Sequence, residues 1–551
     1  MSKNKNELND MRSRRQFLKG SLVAGVAGAV AAAGVAPSVA HAASVETTAK
    51  PQHSWEVVPE PIPDSKIAKT IDVDIVIVGA GCAGLNAAYS AAKNGAKVVV
   101  IEKMKTFSVR GNCNAALNTK LHRDKGIKID PDEVVANLVC FSGNRSDQQL
   151  LKLWAEKSGE VMDHIIELCG KNGVEVSILE TFDPSRKYPQ LYPGYPTAHI
   201  FAKPGAARTT GNEYVPTQIY LLELIEAKAK EAGAQFFYRT TARQLIKGED
   251  GHIAGVIAET KGTGMVKFLA KKAVIMASGG YTENKEMLDA WCPVAHEPEI
   301  VAYTPVNGNQ GDGFNLALWV GAGLQKWPHP IMIHTIPGIG VDQMTGNQSF
   351  MHVNRDGLRY ENEALPNQTL CDGRFRQPGK QAWAIFDAKY EKDHETFKTG
   401  FDGPICEPIA ALEESVAKGL ALKADTIEEL GKKMGVPVEA FKQSVARYTE
   451  YARKGKDEEF NKDAFIMFTI EKAPYFAIPI KSHLLTTVGG LDCDSEMQVL
   501  DTKGKKMPGF YAIGNMMGNF FANEYPLLAP GLSHGRAIVL SQILGERLAK
   551  A

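Results

Sequence analysis

Val73-Asp-Ile-Val-Ile-Val-Gly-Ala-Gly-Cys-Ala-Gly84 is the stretch whose reading decides the fold. An apolar, β-branched run leads into a turn with Gly79, Gly81 and Gly84 and then a helix-like segment. The next apolar run, Lys97-Val-Val-Val-Ile-Glu102, ends in an acid. This order is the dinucleotide-binding fingerprint. The first glycine permits a tight turn, the second lets the backbone approach a pyrophosphate, and the third lets helix and strand pack closely. The pyrophosphate then meets the positive end of the helix dipole, and Glu102 accepts the ribose hydroxyls. The fingerprint alone leaves NAD and FAD both open.

On the N-terminal side, residues 43–70 are polar and punctuated by Pro51, Pro59, Pro61 and Pro63, the texture of a linker or surface strap. Before them, residues 1–42 read as a twin-arginine signal peptide. Ser13-Arg-Arg-Gln-Phe-Leu-Lys19 precedes an Ala/Gly/Val run that ends near Pro37, and Ala40-His-Ala42 resembles a cleavage site. The expected destination is the periplasm or the outer face of the cytoplasmic membrane. This pathway carries folded proteins, which suits a chain that loads its cofactor before export.

The composition excludes several classes. With 63 basic and 63 acidic residues the chain has no global field to draw it to nucleic acid. At 551 residues it is too long for one core and implies two or three domains. The eight cysteines form no CxxC and no CxxCH, and there is no HExxH, so neither an attached c-type haem nor a metal site is expected.

On the C-terminal side, Arg110-Gly-Asn-Cys-Asn-Ala-Ala116 reads as a loop with its backbone flat against a ligand. Residues 131–173 have helical spacing. Residues 183–214 form a Pro/Gly/aromatic loop with Tyr188, Tyr192, Tyr195, His199 and Phe201, a candidate pocket wall. A strand at 273–277 ends in Ser278-Gly-Gly-Tyr281, a second strand-then-glycine turn, and Gln310-Gly-Asp-Gly313 opens a helix. From about 325 the texture changes. Arg355-Asp-Gly357 signals a hairpin, Thr426-Ile-Glu-Glu429 is a capping box, and glycine-rich texture returns at Val488-Gly-Gly490. The block 325–486 therefore reads as an insertion into a discontinuous nucleotide-binding domain made of 71–324 and 487–551.

Taken together, these pieces resemble the fumarate reductase and succinate dehydrogenase flavoprotein family. The nearest branches are its soluble flavocytochrome c-like members and the related 3-ketosteroid dehydrogenases. The matching segments are Val78 to Ala88, Ile101-Glu-Lys-Met104, Arg110 to Ala116, Ala277 to Tyr281, Gln310 to Phe314, Val353 to Glu363, Val488-Gly-Gly490 and Gly509 to Asn515. The resemblance implies an α/β fold, a discontinuous Rossmann-like FAD-binding domain with an inserted α+β capping domain. It implies non-covalent FAD held by Gly79, Gly81, Ala83, Gly84, Glu102, Lys103, Gly111, Asn112, Cys113, Asn114, Ala242, Gly279, Gly280, Asp312, Gly489, Gly514, Asn515, Gly531, Leu532 and Ser533. The final helix, opening at Gly531-Leu-Ser533, would aim its dipole at the flavin's pyrimidine end.

The departures from the family pattern point to the substrate. The family arginine that protonates fumarate falls on Asn367, the second carboxylate-gripping arginine falls near Leu528, and the family histidine before the late Gly-Gly falls on Thr486. His329 keeps its family identity. Losing two arginines removes charge-assisted hydrogen bonds of about 1.5 to 3 kcal/mol each, so a dicarboxylate is not the expected substrate. Tyr525 resembles the ketosteroid-branch tyrosine that bonds a substrate carbonyl, with a longer interval to the following glycine. Asn515 stands where fumarate reductases carry Glu, as in the ketosteroid branch. The catalytic candidates are thus Tyr525, His329, Asn367 and Thr486. Arg374 and Arg376 could replace the missing arginine from a shifted position, but a solvated cap face is the preferred expectation, and Arg359 and Glu363 are expected to stabilise the hairpin.

The expected activity is reduction of an activated C=C bond on a largely apolar substrate, with electrons from a separate donor such as a membrane-linked cytochrome or quinol system. Two alternatives stand beside it. One is a dehydrogenase introducing a C=C next to a ketone; the other is a flavin-binding electron carrier without substrate chemistry.

Overall fold

The fingerprint run forms the strand Ile67–Val78, which starts inside the segment expected to be linker. In this computed structural model the described residues are 53–178, 194–205, 209–210, 213–214, 217–301, 307–337, 350–365, 367–394 and 409–551. The signal segment, Tyr188 and Tyr192 lie outside them. The described residues belong to one compact unit, His53–Ala551.

Ile67–Val78 lies parallel between Gly264–Met276 and Val98–Glu102. Lys506–Ala512 and Gln235–Tyr238 extend the parallel sheet on either side. Ile75, Val76 and Ile77 are fully buried, as a parallel strand covered on both faces requires. The helix Cys82–Lys93 packs on this sheet and on the helix Leu532–Lys550. The helix Gln148–Lys171 starts where Asp147 accepts hydrogen bonds from Gln149 and Leu150 N–H. It buries Leu150, Leu151, Trp154, Ser158, Met162, Ile165 and Cys169, a stripe at helical spacing.

The inserted block builds a second sheet around the long strand Tyr475–Thr487. It pairs with Ala382–Asp387, Ile331–Pro337, Leu422–Ala424 and Ile300–Val301, the last contributed from before residue 325. Its own cores gather Met351, Val353, Ile385 and Phe441 in one place and Phe350, Phe386, Tyr390 and Phe476 in another. The chain enters and leaves this block side by side. Gln325 N–H donates to the Gly490 carbonyl, Gly490 N–H donates to Gln325 Oε1, and Leu324 bridges Leu491. Thr426 caps the helix Ile427–Met434 by accepting from Glu429 N–H at 3.1 Å, the half of the expected capping box that satisfies an N-terminal donor.

The segment at 53–66 lies on the domain as a surface strap, with Trp55 packing on Trp291 at 4.6 Å and Ile62 N–H donating to Gln244. One expectation changes here. Arg374 is 1% exposed, not on a solvated face, because Glu299 takes both of its Nη atoms at 2.7 and 2.9 Å. Arg376 is exposed as expected. The seven described cysteines are all free thiols.

Candidate active site

A cleft opens over the carboxyl ends of the parallel strands, the place where such sheets bind ligands. The fingerprint turn supplies Gly79, Gly81, Cys82 and Ala83, and the second strand supplies Glu102 and Lys103. Ala242, Gly279, Gly280, Asp312, Gly514, Asn515 and Ser533 complete the set of expected cofactor residues on its walls. Only glycine fits at the turn. Gly79 has φ +110°, and a Cβ there would lie 2.5 Å from the Ala277 carbonyl oxygen.

The other expected cofactor residues stand behind the walls. A Cβ on Gly84 would meet the Gly79 carbonyl at 2.0 Å, so Gly84 sets how closely helix and strand pack. Gly111 lies under the His534 imidazole and Gly489 under His329. Asn112 accepts from Thr217 N–H at 2.7 Å, and Asn114 exchanges amide hydrogen bonds with Gln218 at 2.7 and 2.9 Å. Cys113 packs with Ala198 and Ile200. Gly531 offers its carbonyl to Ala115 N–H, and Leu532 is fully buried. Asn112, Cys113, Asn114 and Gly531 tie the loop 110–116 to the elements packed around it.

Several lining residues went unselected in the sequence: Ser108, Arg110, Thr240, Thr241, Ser278, Asn309 and His534. Arg110, Ser278 and His534 lie inside motifs already singled out; Asn309 precedes another. Arg110 donates to the Leu485 carbonyl at 2.6 Å and so ties the cleft to the cap strand. His534 bonds the Cys113 carbonyl at 3.3 Å, and burial holds it down at about 4, so it is neutral near pH 7.

The walls suit FAD. Ser278 Oγ and Asn309 Nδ2 are buried in the cleft without a hydrogen-bond partner among the described residues, as expected of groups reserved for a polar ligand. Glu102 accepts from Ala80 N–H and Met104 N–H, both at 2.8 Å, which fixes its carboxylate beside the fingerprint turn. Lys103 and Asp312 meet at 2.6 Å. The terminal helix Leu532–Lys550 begins at Gly531, and its first turn presents Ser533 to the cleft.

Of the four catalytic candidates, three can be placed by their side chains. His329 is buried, and its Nδ1 is 2.6 Å from the Tyr281 hydroxyl. Burial pushes the imidazole down to about 3 and the Tyr281 phenol well up. Both groups are therefore neutral, and one donates to the other across this contact. Thr486 Oγ1 accepts from Asn515 Nδ2 at 2.9 Å and donates to the Thr487 carbonyl. Tyr525 is 2% exposed, and its hydroxyl oxygen accepts from Ser533 N–H at 3.0 Å. Asn367 opens the helix Asn367–Phe375; its side chain lies outside what the structure describes. Leu528, at the position of the second family arginine, is buried and offers its carbonyl to Tyr195 N–H.

Comparison with known proteins agrees with this geometry. The family described as FAD binding domain matches residues 74–531, and a twin-arginine translocation pathway signal sequence matches residues 13–31. The vinyl phenol reductase of Lactiplantibacillus plantarum is 25% identical over 510 residues, 88% of this chain and 98% of that protein. The fumarate reductase (cytochrome) of Shewanella frigidimarina is 25% identical over 493 residues, 87% of this chain and 77% of its own. The 3-ketosteroid-delta4-(5alpha)-dehydrogenase of Rhodococcus jostii RHA1 superposes with a TM-score of 0.69 at 21% identity, covering 87% of this chain and 97% of that one. The export signal directs the protein through the twin-arginine pathway to the periplasm, and among the described residues no helix is long and apolar enough to cross a membrane. The chain belongs to the FAD binding domain family, as a fumarate reductase-like FAD-dependent oxidoreductase of CH–CH groups with ketosteroid dehydrogenase-like features.

Proposed function

We propose that this exported flavoprotein reduces an activated C=C bond, an enone or enoate, on a largely apolar substrate that is not a dicarboxylate. Non-covalently bound FAD would supply the hydride, and a separate redox partner would supply the electrons. The observation that carries this reading is the fate of arginine around the site. By the resemblance the gripping pair falls on Asn367 and Leu528; Arg374 is consumed by Glu299 and by Ser482 Oγ at 2.8 Å, and Arg536 by Asn515, the Met517 carbonyl and the Phe520 and Phe521 rings. Phe520, Phe521, Tyr525 and Leu528 form a buried, mainly apolar group beside the terminal helix. A substrate body seated against this group would meet aromatic and aliphatic surface, which suits an aromatic or polycyclic body better than two carboxylates.

In this reading Tyr525 delivers the proton that completes saturation of the double bond. Neutral His329 donates a hydrogen bond, and the first turn of the terminal helix stabilises negative charge. The names of the relatives support the reaction class, since vinyl phenol reductase, urocanate reductase and fumarate reductase are all reductases.

Titration of the oxidised, FAD-loaded protein tests the pocket itself. 4-Vinylphenol and cinnamate are expected to perturb the visible flavin spectrum saturably, whereas fumarate and succinate leave it unchanged up to millimolar concentration. A saturable response to fumarate at micromolar concentration would contradict the apolar reading.

A further inference from the structure

The surface strap reaches His329 through a single tryptophan. Residues 53–58 carry three large apolar side chains. Val57 and Val58 stay exposed, whereas Trp55 packs against the core. Its indole meets the Trp291 ring with centroids 4.6 Å apart, and the His53 ring stacks on it at 4.4 Å. Beside this contact Ser54 N–H donates to Glu286 at 2.8 Å, and Ser54 Oγ donates to the second oxygen of the same carboxylate. Glu286 and Trp291 lie on one short helix, Lys285–Trp291, so the strap grips that helix near both of its ends.

Trp291 is where this grip is passed to His329. Its carbonyl accepts the His329 N–H at 2.8 Å, and its ring lies 5.5 Å from the imidazole. The next residue, Cys292, donates from Sγ to the His329 carbonyl at 2.9 Å. Trp291 also stands edge-on to the Tyr281 ring at 5.2 Å, and the Tyr281 hydroxyl is 2.6 Å from His329 Nδ1. The backbone of His329 and its hydrogen-bonded ring neighbour are thus both set by where Trp291 sits. Trp291 itself is half-buried, so its place depends on what covers it. A second indole laid against it removes apolar area from water and restricts the ring to a tilted contact.

We propose that Trp55 is a positioning residue for His329: docked on Trp291, the strap holds the His329–Tyr281 pair in the geometry that substrate meets. The inference rests on the role proposed for His329 and deepens it, placing part of the control of that site in the segment that follows the export signal. A misplacement of about 1 Å in a group that contacts substrate can cost about a hundredfold in rate, so a covering ring one residue removed has a measurable effect.

The first test needs no substrate. A fluorinated tyrosine is placed at 281 in the FAD-loaded protein and, in a separate sample, at 448, a buried tyrosine in the core of the inserted block. Fluorine NMR of Trp55→Ala is expected to show the 281 signal shifted or broadened and the 448 signal unmoved. Trp55→Phe, which keeps a ring against Trp291, restores most of the 281 signal. An unmoved 281 signal in Trp55→Ala, or equal displacement at 281 and 448, would overturn the proposal. The second test is turnover, with reduced viologen as donor and the fastest alkene among 4-vinylphenol, cinnamates and enones as acceptor. Trp55→Ala is expected to lower kcat about tenfold at unchanged FAD content, and to cost less than about twofold when His329→Gln is already present, because residues that act through one another are not additive. Equal losses in the two backgrounds would overturn the route through His329. Full turnover in His329→Gln alone would instead refute the role proposed for His329, and the 281 signal would still decide the positioning.

Discussion

Tyr525→Phe lowers kcat on an accepted alkene by about a hundredfold or more, the usual scale for a lost general acid, with FAD still bound and KM changed little. The phenyl ring keeps the edge-on packing against Phe521 at 5.2 Å, so the pocket wall survives. The loss is the oxygen that accepts from Ser533 N–H at 3.0 Å, an unmet hydrogen bond worth about 1 to 3 kcal/mol of stability. A purely structural tyrosine would show that stability loss with near-normal turnover. Steady-state rates with reduced viologen as electron donor, set beside thermal unfolding of the same samples, separate the two. Turnover within twofold of wild type would remove Tyr525 from the chemistry.

Arg359→Met destabilises the protein by about 3 to 5 kcal/mol, the cost of leaving buried acids without their cation. The Arg359 guanidinium is wholly buried and grips Glu363 at 2.8 and 3.0 Å and Asp457 at 2.8 Å through two further bonds. Lys462 reaches Glu363 at 3.2 Å from the other side. Burial pushes both carboxyls up, but the Lys462 and Arg359 charges hold Glu363 at about 2. The Arg359 hydrogen bonds hold Asp457 at about 2. Both groups titrate lower in the folded chain than in the unfolded one. Their contribution is therefore complete only above about pH 5 and is lost as pH falls through about 2. Urea unfolding at pH 7 measures the first effect. Acid unfolding should begin at higher pH in Arg359→Met than in wild type; identical urea midpoints would show that the cluster contributes nothing.

The fingerprint was legible because each part has a local cause. Gly79 and Gly84 announce a turn and a close approach that only glycine satisfies, and Glu102 closes an unmistakable buried strand. The block 325–486 stood out as a change of texture; Leu324 and Leu491, on either side of it, bridge each other, and its sheet also takes in Ile300–Val301 from before it. Long-range partners were not legible. Nothing near Arg374 in sequence announces Glu299, and nothing in Gly111 announces His534, because these contacts join segments brought together only by folding. For the same reason the partners of loop 110–116 were hidden: Arg110 reaches the cleft, while Asn112 and Asn114 spend their amides on Thr217 and Gln218. Arg536 was missed because an arginine on a helix ordinarily faces water; its burial follows from Phe520 and Phe521 closing over it.

The most direct test of the central claim is reoxidation of the viologen-reduced holoenzyme by a panel of 4-vinylphenol, cinnamates, enones, unsaturated steroids and fumarate. Rapid reoxidation is expected with at least one of the apolar alkenes and none above background with fumarate. Rapid turnover of fumarate, or reoxidation by electron carriers alone, would contradict the account.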